Sequence, residues 1–209
     1  MRKLLLIGGG GHCKSVLDCV LTTGLYDDIG IIDKNPRASA LGFSVIGSDD
    51  DLPRLRECGW TDAFITVGSI GNTDTRHRLY RILSEIGFTI PSIIDPTSVI
   101  AHDVTICEGV FIGKRAVVNT NSKIGYCAIV NTAAILEHDC VIGDFTHISP
   151  GSVLCGQVTV GNGTHIGAGA TVRQLIKIGN KAVIGIGSVV VKDIPDNVRA
   201  YGNPCKVVD

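Results

Sequence analysis

The most reactive grouping in the sequence is a run of five residues in the second half of the chain, Leu136-Glu137-His138-Asp139-Cys140. A histidine flanked by acidic residues is equipped for general-base work, because imidazole titrates near neutrality and a carboxylate can fix its tautomer. A base of this kind is most useful beside a donor that steadies the negative charge developing on the reacting group. Eighteen residues beyond His138 stands Gly156, which has no side chain to obstruct its backbone N–H. His147 and His165 are also eighteen apart, whereas His138 and His147 differ by nine. Whether such spacings mean contact depends on the period of the chain that carries them.

That period is six. From Ile94 to Val190 every sixth residue is aliphatic, seventeen in succession, and four residues after each stands a small or branched one, such as Ala116, Ala128, Cys140 or Ser152. Glycine often follows the aliphatic residue directly, as at Gly113, Gly125 and Gly143. Six matches neither the 3.6 of an α-helix nor the alternation of an open strand. It is the mark of a parallel β-helix, in which three short sides make an eighteen-residue triangular coil. A β-sandwich would need turn signals every 8–12 residues, and no break interrupts this register. On such a coil Leu136 and Cys140 point inward, His138 and Asp139 lie toward an outer corner, and Gly156 stacks against the imidazole at about 4.8 Å. His147 and His165 form a second ladder pair, half a coil from His138, so that His138 and His147 do not readily meet within one chain and could do so across an interface between subunits. The alternative, that the histidines are ordinary solvated residues, fits His77 and His102. Three histidines at 138, 147 and 165 spread over different corners make no metal site, and none is expected.

Residues 1–90 read differently. Lys3–Ile7 is an apolar strand ending in Gly8-Gly9-Gly10-Gly11, His12–Leu21 has helical spacing, and Ile29–Ile32 is a second strand ending at Asp33. A loop containing Pro36 and Gly42 leads to a short helix, Asp49–Glu57; Ala63–Val67 is a third strand ending at Gly68, and Asn72–Ile86 a further helix. This alternation predicts a parallel, Rossmann-like α/β domain whose ligand edge carries the Gly-rich turn, Asp33 and the Gly68–Asn72 loop. Glycines let a phosphate approach the helix N-terminus, and Asp33 can accept from a ribose or a base. The turn can equally be just a tight strand–helix connection. Three or four strands are half of a dinucleotide fold, so one nucleotide moiety fits better than a nicotinamide cofactor.

Composition agrees with this plan. A 44% hydrophobic fraction with only 5% aromatic residues suits a core of Ile, Val and Ala, and a net charge of −1 offers no basic field for nucleic acid or anionic lipid. Eight scattered cysteines without a CxxC read as free thiols in a reducing compartment. The opening MRKLLLIGGGG is too short for a signal peptide, and no apolar run reaches membrane-spanning length, so a cytoplasmic location is expected. The expected division is 1–90, a Rossmann-like nucleotide-binding domain, 91–195, the β-helix, and 196–209, a C-terminal tail, with Pro91 and Pro96 as stiff joints.

The chain resembles the bacterial sugar O/N-acyltransferase family of the left-handed β-helix superfamily, which includes UDP-4-amino-sugar N-acetyltransferases and sialic acid O-acetyltransferases. The family's I-N-T-x-x-x-x-E-H-[DE]-C is matched by Val130-Asn131-Thr132 through Glu137-His138-Asp139-Cys140, and its F-x-H-[VI]-S by Phe145-Thr146-His147-Ile148-Ser149. Gly202-Asn203-Pro204-Cys205-Lys206 resembles its G-x-P-A-K tail, with Cys205 for the usual Ala. The resemblance implies that the N-terminal domain holds the nucleotide of a sugar substrate. It also implies that the β-helix forms a homotrimer and that acetyl-CoA lies in the groove between neighbouring subunits. By the same likeness His138 is the general base, Asp139 its acidic partner and Gly156 the amide at the thioester oxygen. Asn131 and His147 line the site, and Gly167, Ala168, Gly185 and Ile186, with Lys206 of the tail, line the acetyl-CoA groove. Gly10, Gly11 and His12 fall in the family's G-x-G-H loop, and Asp33, with Lys34 beside it, matches its nucleotide-contacting acid. Where nucleotide-sugar members read I-G-N-N-x-x-R, this chain reads Val67-Gly68-Ser69-Ile70-Gly71-Asn72-Thr73-Asp74-Thr75-Arg76, a three-residue expansion that leaves Gly68, Asn72 and Arg76 as the sugar-facing candidates. The implied reaction is direct acetyl transfer to the amine of a nucleotide-linked amino sugar in surface glycan biosynthesis. Transfer to a hydroxyl of sialic acid or a related sugar, and a non-catalytic nucleotide-sugar-binding scaffold, are the alternatives.

Overall fold

The computed structural model describes residues 2–208, which gather into two compact units: the residues up to 68 together with 74–96, and 69–73 together with 97 onward. The elements of the first unit run β1 (Lys3–Ile7), α1 (Gly11–Thr23), β2 (Asp28–Ile32), β3 (Ser39–Ala40), β4 (Phe43–Gly47), α2 (Leu52–Glu57), β5 (Asp62–Ile65) and α3 (Asp74–Ile86). They form one sheet in the order β3-β4-β2-β1-β5. β1 pairs in parallel with β2 on one side and β5 on the other, so the strand order reverses at β1. This is the switch point at which α/β sheets receive ligands. α1 packs because Cys13, Val16, Leu17 and Val20 recur at helical spacing and are all buried. It stops at Gly24, whose left-handed backbone (φ 62°) lets its N–H reach the Val20 carbonyl.

Three expectations change here. The segment read as a loop between Asp33 and Asp49 contains the β3–β4 hairpin, and β4 lies parallel to β2. Phe43 through Gly47 alternates half-buried with exposed residues, as befits a strand near the edge of a sheet, too weak a signal to stand out from sequence. The sheet therefore has five strands where three or four were expected. The third predicted strand ends at Ile65, short of Val67. Helix α3 begins at Asp74, because Ser69–Thr73 associates with the second unit.

The second unit is a parallel β-helix of two-residue strands on three faces. Each strand pairs with the one eighteen residues away, as in the columns Val118, Leu136, Leu154, Val172 and Ile124, Ile142, Val160, Ile178. The aliphatic ladder from Ile112 to Val190 is buried throughout, while Ile100 and Ile106, on the first coil, are half-buried. The small positions from Val110 to Ile194 are buried too, and their hydroxyls are satisfied from within. Thr146 Oγ1 donates to the Gly161 carbonyl at 2.9 Å, Ser152 Oγ to that of Gly167 at 3.0 Å and Thr164 Oγ1 to that of Gly179 at 2.6 Å.

Corner geometry repeats with the same period. From Gly109 to Gly187 every sixth residue has a left-handed backbone, including the non-glycines Arg115, Asn121, Asp139 and Lys181 at φ 51–61°. The glycines directly after the aliphatic positions serve another purpose. A Cβ at Gly161 would come within 2.6 Å of the Asn180 nitrogen in the next coil. The last coil is two residues shorter, since Ile178 bridges Ile194 and Val183 pairs with Arg199. The hexad pattern stops near Pro195 as expected, yet Arg199–Tyr201 continues the third face, and Lys206–Val207 folds back on it antiparallel.

Candidate active site

His138 and Asp139 occupy one corner of the β-helix, and the fold dictates their orientation. With Leu136 and Cys140 buried in the core, the His138 and Asp139 side chains between them are turned outward, 52% and 36% exposed. His138 Nδ1–H donates to Asp139 Oδ2 at 2.7 Å, which leaves Nε2 as the bare, basic nitrogen. The bond from His138, followed by one from Asn121, holds the Asp139 carboxyl below its ordinary pKa, so the partner of the imidazole is a carboxylate. Because every corner shares the left-handed backbone of Asp139, that conformation belongs to the fold and is not local strain.

Gly156 lies one coil away against the imidazole: a Cβ there would stand 2.5 Å from both Nε2 and Cε1. Any other residue at 156 would push the ring aside. The Gly156 carbonyl accepts from the Leu175 N–H, while its own N–H has no acceptor among the described residues. The two residues face a cleft of about 350 Å³ that Cys155, Gln157, Gln174 and Leu175 complete. Cys140, behind this corner, is buried, and its thiol pKa is pushed up to about 11, chiefly by that burial. It donates to the Cys155 carbonyl at 3.4 Å and is not a thiolate nucleophile near neutral pH.

His147 sits on a flat face, its ring edge-on to His165 at 5.0 Å between centroids. Its Nδ1–H donates to the Ser69 carbonyl at 3.2 Å, and its Nε2 accepts from Asn131 Nδ2 at 3.2 Å, which fixes a neutral tautomer. Asn131 Oδ1 in turn accepts the Thr132 N–H at 2.8 Å. His165 is buried, and that burial lowers its pKa. Gly167 and Gly185 form a column in which glycine is sterically required, since added Cβ atoms would lie 2.6 Å from the Gly185 carbonyl carbon and 2.8 Å from Tyr201 Cδ1. Ala168 and Ile186 are exposed at the adjoining corner, Ile186 81% so, and Lys206 is exposed on the closing hairpin. Among the described residues no three His, Cys, Asp or Glu side chains converge as metal ligands.

In the α/β unit a separate cleft of about 320 Å³ opens at the carboxyl ends of β1 and β2, lined in part by Gly8, Asp33, Lys34, Asp49, Thr75 and Arg78. Asp33 does more than face it. Its Oδ2 accepts the Gly9 N–H at 2.6 Å and its Oδ1 the Asn35 N–H at 2.8 Å, so it ties the Gly-rich turn to the end of β2. Gly8 has φ 111° and would clash through an added Cβ with Val67 Cγ2 at 2.7 Å, which explains the glycine there. Gly10 and Gly11 are open, with nothing within 4 Å of an added Cβ, at a helix start that has no acidic residue in its first turn. Gly68 is exposed with the Cβ of His12 beside it.

Two candidates sit elsewhere than expected. Asn72 is exposed in the segment grouped with the β-helix, and Arg76 is 2% exposed, its guanidinium turned inside. Instead Arg78, two residues on, faces the cleft and pairs with Asp49 Oδ2 at 3.0 Å. Asp49 and Arg78 escaped the sequence reading because nothing along the chain links α3 to the turn before α2. Asn121 escaped it as well, although subtracting eighteen from Asp139 leads directly to it.

Comparison with known proteins agrees with this architecture. Residues 3–83 match the PglD N-terminal domain and residues 139–174 the bacterial transferase hexapeptide of six repeats. PerB from Caulobacter crescentus, solved in complex with CoA and GDP-perosamine, is 37% identical over 100% of this chain and 98% of its own, with a TM-score of 0.94. The acetyltransferase domain of PglB from Neisseria gonorrhoeae, in complex with acetyl coenzyme A, is 36% identical over 99% of both chains, with a TM-score of 0.92. WeeI from Acinetobacter baumannii is 25% identical over 100% of both, with a TM-score of 0.90. On this likeness over its whole length, the chain belongs to the hexapeptide-repeat sugar acetyltransferase family, a PglD-type α/β domain followed by a left-handed β-helix.

Proposed function

We propose that the protein is an acetyl-CoA-dependent N-acetyltransferase acting on a nucleotide-linked amino sugar, with His138 as general base. The observation that carries this reading is the exposed imidazole whose Nδ1 is held by Asp139 and whose Nε2 faces an open cleft beside Gly156. Relatives at 36–37% identity bound to CoA with GDP-perosamine, or to acetyl coenzyme A, support the substrate class.

In the proposed reaction His138 Nε2 accepts a proton from the sugar amine as its nitrogen attacks the thioester carbonyl carbon. The Gly156 N–H donates to the oxygen that gains charge. The C–N bond forms, the C–S bond breaks, and the imidazolium returns its proton to the departing sulfur. No covalent enzyme intermediate is required. Asp139 keeps the imidazole in the tautomer that can receive the proton and stabilises it once charged. The cleft at Gly8, Asp33 and Lys34 would take the nucleotide, with the phosphates toward the open helix start at Gly10 and Gly11. Asn131 and His147, with the Gly167, Ala168, Gly185, Ile186 and Lys206 side, would meet acetyl-CoA in a groove between subunits of a cytoplasmic homotrimer. The reading keeps the nucleotide function within residues 1–90 and the transfer function within 91–195, and leaves 196–209 as the C-terminal tail.

Incubation with labelled acetyl-CoA and a panel of UDP- and GDP-linked amino sugars and sialic acid tests the proposal. Label on the amine of a nucleotide-linked sugar is the expected result. Label on a hydroxyl of sialic acid, or on no acceptor, would overturn it. Light scattering should give three times the mass of the chain, and a monomer would remove the shared groove.

A further inference from the structure

Asp139 does not hold His138 by itself. Its second oxygen, Oδ1, accepts Asn121 Nδ2 at 2.6 Å from the same corner one coil earlier. Asn121 is itself anchored, since its backbone N–H donates to Asp103 Oδ2 at 3.1 Å, and the neighbouring Thr120 Oγ1 donates to the same oxygen at 2.6 Å. The Asp139 N–H closes the arrangement by donating to the Thr120 carbonyl at 2.9 Å. Asn121 and Asp139 share a left-handed backbone, φ 56° and 61°, so their side chains leave the corner alike and stack at the spacing of the coils. A carboxylate bonded at one oxygen can swing about its χ angles. One bonded at both oxygens, by two different partners, is held.

We infer that Asn121 is a positioning residue for acetyl transfer: by bonding Asp139 Oδ1 it fixes the carboxylate in the orientation in which Oδ2 accepts His138 Nδ1–H, and so keeps Nε2 bare for the substrate. The inference rests on His138 being the base. The low pKa of the Asp139 carboxyl, to which both partners contribute, is consistent with it. A purely structural explanation competes, because asparagine adopts a left-handed corner more readily than most side chains, although this β-helix also places Arg115 and Lys181 at such corners. The substitution Asn121→Gly separates the two, since glycine adopts that backbone freely and removes only the amide.

Asn121→Gly should lower kcat by about ten- to a hundredfold and leave the KM for acetyl-CoA within about twofold. The same substitution in an Asp139→Ala background should cost less than about twofold, because a residue that acts through Asp139 has nothing left to act on. Lys181→Gly, at another left-handed corner (φ 51°), should behave as the parent protein. Asn121→Asp, which sets a second carboxylate against Asp139, should lose at least as much as the glycine variant. Nitrogen-15 NMR of His138 reads the effect without turnover: the parent protein should show the Nδ1–H tautomer, and Asn121→Gly a shift toward Nε2–H. Equal losses of kcat in both backgrounds would overturn the inference, as would an unchanged tautomer. If His138→Ala retains turnover, the assignment of the base fails, and the tautomer measurement still decides whether Asn121 orients the imidazole.

Discussion

The two units of this protein differ in how a residue finds its neighbours. In the β-helix a partner lies eighteen positions away, so that His147 meets His165 and Asp139 meets Asn121 by arithmetic. In the α/β unit partners are set by strand order, and the ion pair Arg78–Asp49 joins residues that no period connects. The solenoid therefore turns a local pattern directly into a site, while the sheet brings its site together only after the whole topology has formed.

The sharpest way to break that comparison is at Gly156. Gly156→Ala places a Cβ 2.5 Å from His138 Nε2 and should displace the ring, lowering kcat about a hundredfold while the melting temperature changes little. The equivalent change in the other unit, Gly10→Ala, meets nothing within 4 Å and should fold normally, its effect confined to a weaker KM for the nucleotide sugar. Equal effects of the two would show that periodic stacking does not distinguish the units.

A second contrast concerns what holds each site. Asp33→Ala removes two charge-assisted bonds to the turn, from Gly9 and Asn35, and should destabilise the α/β unit by about 1.5–3 kcal/mol in chemical denaturation. Unchanged stability would mean that the Gly-rich turn holds its own shape. The smallest effect is expected at Cys140→Ser. The hydroxyl can keep the bond to the Cys155 carbonyl, and the thiol, with its pKa pushed up to about 11 by burial, contributes no ionisation between pH 6 and 9. Its pH–rate profile should superimpose on that of the parent protein. Loss of a limb in that range would assign the thiol a role this account denies it.

The sequence made the coil length, the inward ladder and the outward turn of His138 readable, because period six leaves each side chain only one direction to take. It did not reveal the β3–β4 hairpin, whose short strands near the sheet edge carry little apolar signal, or the burial of Arg76, since charge alone suggests exposure. It also hid the last coil. A deletion of two residues between Val190 and Ile194 erases the hexad pattern without stopping the strand pairing. Asn121 was within reach of the arithmetic, but an asparagine at a corner looks like an ordinary turn residue.

The most direct test of the central claim is turnover of His138→Ala measured alongside its affinity for CoA. The account predicts a loss of about 10²–10⁴-fold in kcat, with the CoA dissociation constant within about twofold of the parent protein, as expected when a positioned base alone is removed. A variant that transfers acetyl at close to the parent rate would contradict it and move the chemistry away from this corner of the β-helix.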